Sequence, residues 1–518
     1  MRIKTIRDKY IAMAAAAVAA ALTAVTFVTD RMIFTFPEKT ADAYKSALTD
    51  YSVCKVLTFF ALFAFIYGLG ALIFSKSEYA SQLLAVIKCA LPYLPLLLVI
   101  LVIKLPEGFL TNDEYAIYAD ATGLVHDTWF NYMTVYYYIV SLMLIPVKYA
   151  PIIIKIIIEF FTVGYTVYRA KGYFGKKAGM IMYALFLLYP VIAYTTSAHR
   201  LPVYFLLYLA LFVKIIFDRA EQKKLTLGGA AFILVAGAVL TQWRTEGIYL
   251  LALVPILMFM AYPNLRGKKA VAAVIASYMI IQYVISVPQN GATSSGLDSA
   301  ANDRMKPFYA YTITNMMRNG LDRQANAEDL AIVDKYLSIE SIDNINEYYA
   351  DINYEDVLIL YKEGFIGVRE DAGYTQYVDF TDALKRIFKN NIKVFAKTRW
   401  GAFCYAALPY RITFSGYGVR ELVSSALSIV KSLAYNLFIP IIFAAGALVY
   451  CLIKKKWFGL FIFGGLAAHF AIVFVLAPAS YFKYYFPVYI MSYFFMISLV
   501  IFLLFCRKTK REDSNKLI

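Results

Sequence analysis

The sequence predicts an all-α polytopic membrane protein of about 12 transmembrane helices, and three observations predict it. Hydrophobic residues make up 61% of the 518-residue chain and mean hydropathy is +0.60, above what a soluble globular chain carries. Apolar runs of about 20 residues, the length that crosses a bilayer core, recur along the whole chain. Lysines and arginines gather in short clusters between those runs, which is how charge is distributed when it sets topology.

The runs lie at about 10–29, 52–74, 79–103, 150–168, 178–196, 200–217, 226–241, 247–262, 269–287, 432–452, 457–477 and 484–505. The first follows Arg2, Lys4, Arg7 and Lys9 and has no polar cleavage region after it, so it reads as a retained span. An even count keeps both termini on one face. Short basic loops stay cytoplasmic, and the clusters Arg169/Lys171/Lys176/Lys177, Arg219/Lys223/Lys224, Arg266/Lys268/Lys269, Lys454/Lys455/Lys456 and Arg507/Lys508/Lys510/Arg511 all fall on the face of the termini. Both ends are therefore expected in the cytoplasm of a cell membrane, and the Lys-, Ile- and Tyr-rich composition fits a bacterial plasma membrane. Segment 129–146 is apolar but carries Asn131, Tyr132, Tyr136, Tyr137 and Tyr138. Counting it as a span would put 169–177 outside, so it is expected to lie along the outer interface as a juxtamembrane helix.

This pattern divides the chain into an N-terminal transmembrane hairpin (1–78), a transmembrane core (79–287) with a first outer loop at 104–149, an extracytoplasmic insertion (288–430), C-terminal transmembrane helices (431–506) and a cytoplasmic tail (507–518). The net charge of +16 sits in topology clusters and not in a basic domain, which argues against nucleic acid as a partner. Cys54, Cys89, Cys404, Cys451 and Cys506 are too dispersed for a disulfide framework or a zinc site.

The insertion opens with turn-forming residues and then becomes acidic. From 321 to 382 it holds 15 Asp/Glu against 4 Lys/Arg, a composition that keeps a soluble face hydrated and that also suits cation binding or acceptor recognition. Segment 382–400 carries Leu384, Ile387, Phe388, Ile392, Phe395 and Ala396 at helical spacing, with Lys385, Lys389, Lys393 and Lys397 on another face. That pattern predicts an amphipathic helix lying on anionic headgroups, whose lysines could help hold a lipid phosphate. Inside the apolar runs, Lys155 and Glu159 are one turn apart and can neutralise each other. Lys55 and Lys88 can snorkel or line the interior. His469 is expected to be a hydrogen-bonded packing residue.

The first outer loop concentrates chemistry: Thr111-Asn-Asp-Glu-Tyr-Ala-Ile-Tyr-Ala-Asp120, then His126-Asp-Thr-Trp-Phe-Asn-Tyr132. With Arg169 through Phe174-Gly175, Thr241-Gln-Trp-Arg-Thr-Glu-Gly247 and Ala477-Pro-Ala-Ser-Tyr-Phe-Lys-Tyr-Tyr-Phe-Pro487, it resembles the GT-C membrane glycosyltransferases, which include protein mannosyltransferases and the aminoarabinose transferase of lipid A. The likeness covers about 79–290 and 457–505. It departs from the family pattern at His126, which is followed by Asp127-Thr128 where the family has two prolines, and at His199-Arg200-Leu201-Pro202, which lacks the family's acid.

The resemblance implies a GT-C-like bundle that moves a sugar from a polyprenyl-phosphate donor to an envelope glycan, lipid or protein acceptor, with inversion. The residue types suit that chemistry. A carboxylate takes the acceptor's proton as the bond forms, and Asp113 is the candidate base. Fixed cations stabilise the departing phosphate. Arg200, Arg244 and Lys483, at expected outer span ends, are the candidates, with His126 as a further donor. Arginine suits phosphate because its planar fork donates two hydrogen bonds. Glu114 is a second acid or, with Asp113, a ligand for a divalent ion such as Mg2+ or Mn2+. Nucleotide-binding loops of the Gly-x-Gly-x-x-Gly or Gly-x-x-x-x-Gly-Lys-Ser/Thr form are missing from the sequence, which favours a lipid-linked donor. Two rivals stand beside this reading: an O-antigen-type polymerase or ligase that works through loop arginines, and a transporter or lipid flippase without covalent chemistry.

Overall fold

The computed structural model describes residues 6–38, 42–75, 77–109, 111–125, 130–197, 200–265, 267–294, 305–348, 367–369, 372–409, 418–477 and 479–506. The described residues are helical apart from turns and one isolated bridge, Leu337 to Val368. Among the described residues nine helices are long and apolar enough to cross a membrane, or ten if a bent pair counts as one span. The chain is thus a polytopic α-helical membrane protein by length and composition. It divides into two compact units: Met1–Gln289 with Leu448–Ile462 and Ile490–Ile518, and Asn290–Ala447 with Phe463–Tyr489.

In the first unit, α1 (Ile6–Ile33) and α2 (Asp42–Phe74) form a hairpin. Lys55 does not snorkel from it. The residue is buried, forms an ion pair with Asp30 and lies 4.5 Å from the Phe27 ring centroid. Next come α3 (Glu78–Ala90), a 3-10 turn (Leu91–Tyr93) and α4 (Leu94–Glu107), which together make one long apolar helix. Short α5 (Asn112–Gly123) and α6 (Tyr132–Leu144) follow. At about 1.5 Å per residue α6 extends about 20 Å, well short of a hydrocarbon core of about 30 Å. Ten of its 13 residues are buried, and it packs on α1, α2, α5 and on α7 (Ala150–Phe174). The tyrosines expected to meet headgroups are therefore mostly covered by protein. In α7, Gly164 touches α3 so closely that an added Cβ would lie 2.5 Å from the Val86 carbonyl oxygen; this is the small-residue contact that lets membrane helices approach.

The run expected at 178–196 is broken. Helices α8 (Lys176–Gly179) and α9 (Tyr183–Phe186), joined by a 3-10 turn, meet α10 (Tyr189–Thr195) at a 63° bend. Pro190 at the start of α10 cannot continue the preceding hydrogen-bond ladder. Helix α11 (Arg200–Ala220) is the most enclosed of the long helices, with 83% of its apolar window buried. The runs expected at 226–241 and 247–262 become α12 (Leu227–Trp243) and a shorter apolar stretch that ends in α13 (Leu250–Ala261); α14 (Lys268–Ser294) follows.

Arg169, expected as part of a solvated topology cluster, is buried. Its Nη1 lies 2.9 Å from Asp218 Oδ1, and Asp218 also accepts from Lys214 Nζ and Tyr262 Oη at 2.7 Å each. One carboxylate thereby ties α7, α11 and the end of α13.

The second unit contains α15 (Lys306–Arg318), α16 (Ala327–Asp334), α17 (Ile339–Tyr348), α18 (Tyr374–Asn390), α19 (Ile392–Ala407) and α20 (Val419–Ala434). The helix expected over 382–400 is two helices, divided at Asn391. The N-terminal half of its apolar face is covered by protein, where Leu384 and Ile387 pack with Tyr311, Ile313, Val333, Tyr336 and Phe380 in the core of this unit, whereas Ile392 and Ala396 are exposed. Lys385, Lys389, Lys393 and Lys397 remain exposed. The acidic stretch uses its few cations to join elements, through Arg323 to Asp343, Arg369 to Asp334 and Arg386 to Asp329. The last apolar helices are α21 (Phe438–Ile453), α22 (Trp457–Leu476) and α23 (Phe486–Ile501). His469 is a packing residue as expected, with Nε2 3.0 Å from the Tyr484 carbonyl. Cys54, Cys89, Cys404 and Cys451 are free thiols.

Candidate functional site

The acids of the first outer loop sit on the opening turn of α5. Thr111 is the N-cap: its Oγ1 accepts from the Glu114 amide at 3.3 Å, and Glu114 Oε2 accepts from the Thr111 amide at 2.9 Å. This reciprocal capping box fixes the entry of the helix and brings acids to the positive end of its dipole. It also separates the fates of the two acids. Glu114 is wholly buried and its Oε1 accepts Ser197 Oγ–H at 2.8 Å. Asp113, one residue earlier, is half-buried and within electrostatic reach of Tyr138 on α6. The more accessible acid is therefore Asp113.

Behind Glu114 lies a charge network that the sequence showed only in part. Lys104, Glu114, Lys155 and Glu159 are each no more than 2% exposed, and Lys155 feels the charges of the other three. Lys155 and Glu159 do not pair directly as their spacing led us to expect. Lys155 Nζ donates to the Ser197 carbonyl at 3.0 Å, whereas Glu159 Oε1 accepts from Thr195 Oγ1 at 2.9 Å and Tyr93 Oη at 3.3 Å. Buried charge in an apolar bundle is costly unless it is compensated. Here the compensation comes from hydroxyls and carbonyls of the bent segment. Sequence reasoning passed over Lys104, whose signal was a lone cation ending the run Leu96–Ile103. It also passed over Tyr93, Thr195 and Ser197, which carry no sequence signal of their own.

Two of the cations expected at the phosphate, Arg200 and Arg244, lie on segments that meet the start of α6. Arg200, half-buried at the start of α11, lies 5.2 Å from the Phe130 ring centroid. Asn131 Nδ2 donates to the Gln242 carbonyl at 2.8 Å, and Trp243 Nε1 donates to Thr134 Oγ1 at 3.0 Å. These bonds fix the segment that ends in Arg244. Arg244 is itself buried, with Nε 2.7 Å from Glu246 Oε1 and its guanidinium 5.9 Å from the Tyr204 ring centroid. Its charge is thus already partly neutralised, which the sequence did not reveal. Gly247 is required by close approach, because a Cβ there would lie 2.3 Å from the Leu240 carbonyl oxygen.

Lys483 belongs to the second unit, where its ammonium lies 4.8 Å from the Tyr481 ring centroid. His126 lies outside the described residues. Among the described residues no group of three or more His, Cys, Asp or Glu side chains could hold a metal ion; Asp113 and Glu114 supply two carboxylates, and the burial of Glu114 within its capping box leaves Asp113 as the more available ligand.

Fold and site together define a polytopic α-helical membrane protein with a buried charge network beneath an acidic helix start. No family model matches this chain, and neither a curated protein nor a solved structure does.

Proposed function

We propose that this protein is a membrane glycosyltransferase of the GT-C type, taking a sugar from a polyprenyl-phosphate donor on the extracytoplasmic face and passing it, with inversion, to an envelope glycan, lipid or protein acceptor. In this reading all 12 apolar runs span, the shorter α12 and α13 and the bent pair included, both termini are cytoplasmic, and α6 lies near the outer surface. The observation that carries it is a half-buried carboxylate, Asp113, near Tyr138 in the middle of α6, together with two arginines, Arg200 and Arg244, on segments that meet the start of the same helix.

Asp113 receives the acceptor's proton as its hydroxyl attacks. Arg200 and Arg244 meet the phosphate, with His126 as a further cation, and stabilise charge as the sugar bond breaks. Glu246 holds the Arg244 fork in place between donors. A divalent ion, if the reaction uses one, has Asp113 and Glu114 as its nearest carboxylates.

The test is a membrane assay with a lipid-linked sugar donor. Asp113→Asn keeps the shape but removes the base, so transfer falls by about a hundredfold or more while donor binding persists. Arg244→Ala weakens donor binding and slows transfer together. Wild-type rates from the Asp113 variant would refute the assignment and leave the polymerase or transporter readings ahead.

A further inference from the structure

Glu159, midway along α7, is wholly buried, and its two oxygens have unequal surroundings. Oε1 accepts from Thr195 Oγ1 and Tyr93 Oη at 2.9 and 3.3 Å, while Oε2 has no hydrogen-bond partner among the described residues. A carboxylate oxygen buried without a donor is expensive. Lys155, one turn before it, does not supply that donor, because its ammonium is directed to the Ser197 carbonyl.

What surrounds Glu159 is oxygen from several elements. Tyr93 Oη comes from the turn before α4 and shares its one proton between Glu159 Oε1 at 3.3 Å and the Phe186 carbonyl at 2.9 Å. Phe186 ends α9, where the 63° bend stops the helical ladder and frees carbonyls. Thr195 Oγ1 comes from the last turn of α10, beyond the bend. One carboxylate, two hydroxyls and the carbonyl end of a half-helix thus converge, and the dipole of that half-helix is negative at this end. Hard cations choose oxygen sets of this kind, and broken helices supply them inside membranes.

We propose that Glu159, Thr195, Tyr93 and the Phe186 carbonyl form a binding site for a monovalent hard cation, Na+. The ion takes the unpartnered Oε2 as its charged ligand and the hydroxyl and carbonyl oxygens as neutral ones. A divalent ion is disfavoured, since Lys104 and Lys155 already balance Glu114 and Glu159 in this buried network and a divalent ion would leave two positive charges in excess instead of one. The site is separate from the Asp113 chemistry and stands whether or not the sugar-transfer reading holds.

The experiment is thermal unfolding of the purified full-length chain in detergent, in NaCl, KCl or choline chloride at constant ionic strength, together with equilibrium binding of 22Na+. Expected is a saturable rise of Tm with Na+ that K+ and choline do not reproduce, as mass action requires of an ion that binds only the folded state. Glu159→Gln and Thr195→Val should abolish the rise, Thr195→Ser should retain it, and Tyr93→Phe should raise the Na+ midpoint at least about tenfold. Asp113→Asn should leave the rise intact, which separates this site from the transfer chemistry. Absence of bound 22Na+ in the wild type, an equal effect of all three salts, or a Na+ response that survives in Thr195→Val would overturn the proposal. If Glu159→Gln does not fold, the Thr195 and Tyr93 variants decide it.

Discussion

Replacing Asp218 with Asn tests how the first unit is held at the Arg169 end of α7. The carboxylate accepts from Arg169 Nη1 at 2.9 Å and from Lys214 and Tyr262 at 2.7 Å. Asparagine keeps an acceptor for Tyr262 but removes the charge facing a guanidinium that is 5% exposed. Breaking one side of a buried pair costs about 3–5 kcal/mol. Two features reduce that figure here: Glu221 remains 3.3 Å from Arg169 Nη2, and Lys214, at 19% side-chain exposure, can turn to water and forfeits less than about 1 kcal/mol. The expected loss is therefore about 3 kcal/mol, or a Tm lower by several degrees in detergent-solubilised protein. The double variant Arg169→Met with Asp218→Leu removes both charges and should recover most of that loss, because an apolar pair of similar volume often replaces a buried ion pair at little cost. The two sites should then couple by about 2 kcal/mol in a double-mutant cycle. A single-variant Tm within a degree of wild type, or additive losses in the cycle, would refute the idea that this carboxylate is the tie.

Topology is checked by thiol labelling in intact cells, in a variant lacking the native cysteines. Cysteine at Asn112, which leaves the Thr111 cap in place, and at Asn344 should react with an impermeant reagent, whereas cysteine at Lys176 should not; labelling at Lys176 would invert the assignment of sides. The second unit offers a pH dependence. Burial alone would raise the Asp334 carboxyl, but the Ile339 amide and Arg369 outweigh it and hold it below the usual carboxylate range. A group with a depressed folded value contributes stability above its unfolded value of about 3.9 and loses it as pH falls through the lower folded value. Protection of the Ile339 amide from hydrogen exchange should therefore be level down to about pH 4 and fall below it, and in Asp334→Ala it should be low throughout; an unchanged protection factor in that variant would count against the contact.

Much of the fold was legible because the bilayer's demands are written in composition. Each apolar run is largely helical, since a chain without water must satisfy its amides internally, and run length carries that message without reference to neighbours. What hydropathy could not register was the break at 187–188, because Leu187 and Leu188 are as apolar as the residues beside them and the interruption is geometric. Nor could it tell that Leu384 and Ile387 of 382–400 turn to protein: an amphipathic pattern states that one face is covered, not by what. Lys155 and Glu159 show the same limit for charge, where spacing permits a pair and the hydroxyls and carbonyls of a distant segment capture each member instead.

The sequence by itself determined an all-helical polytopic membrane protein and the positions of its apolar runs, because these depend on transfer free energy and on backbone hydrogen bonds satisfied within each segment. Tertiary structure alone decided which acids are accessible and which are buried, that Arg244 leans on Glu246 and Arg169 on Asp218, and that Glu159 ends beside the bend of another helix. Those outcomes depend on which segments, far apart along the chain, come within about 3 Å of one another, the range at which hydrogen bonds and ion pairs act, and no local pattern encodes that proximity.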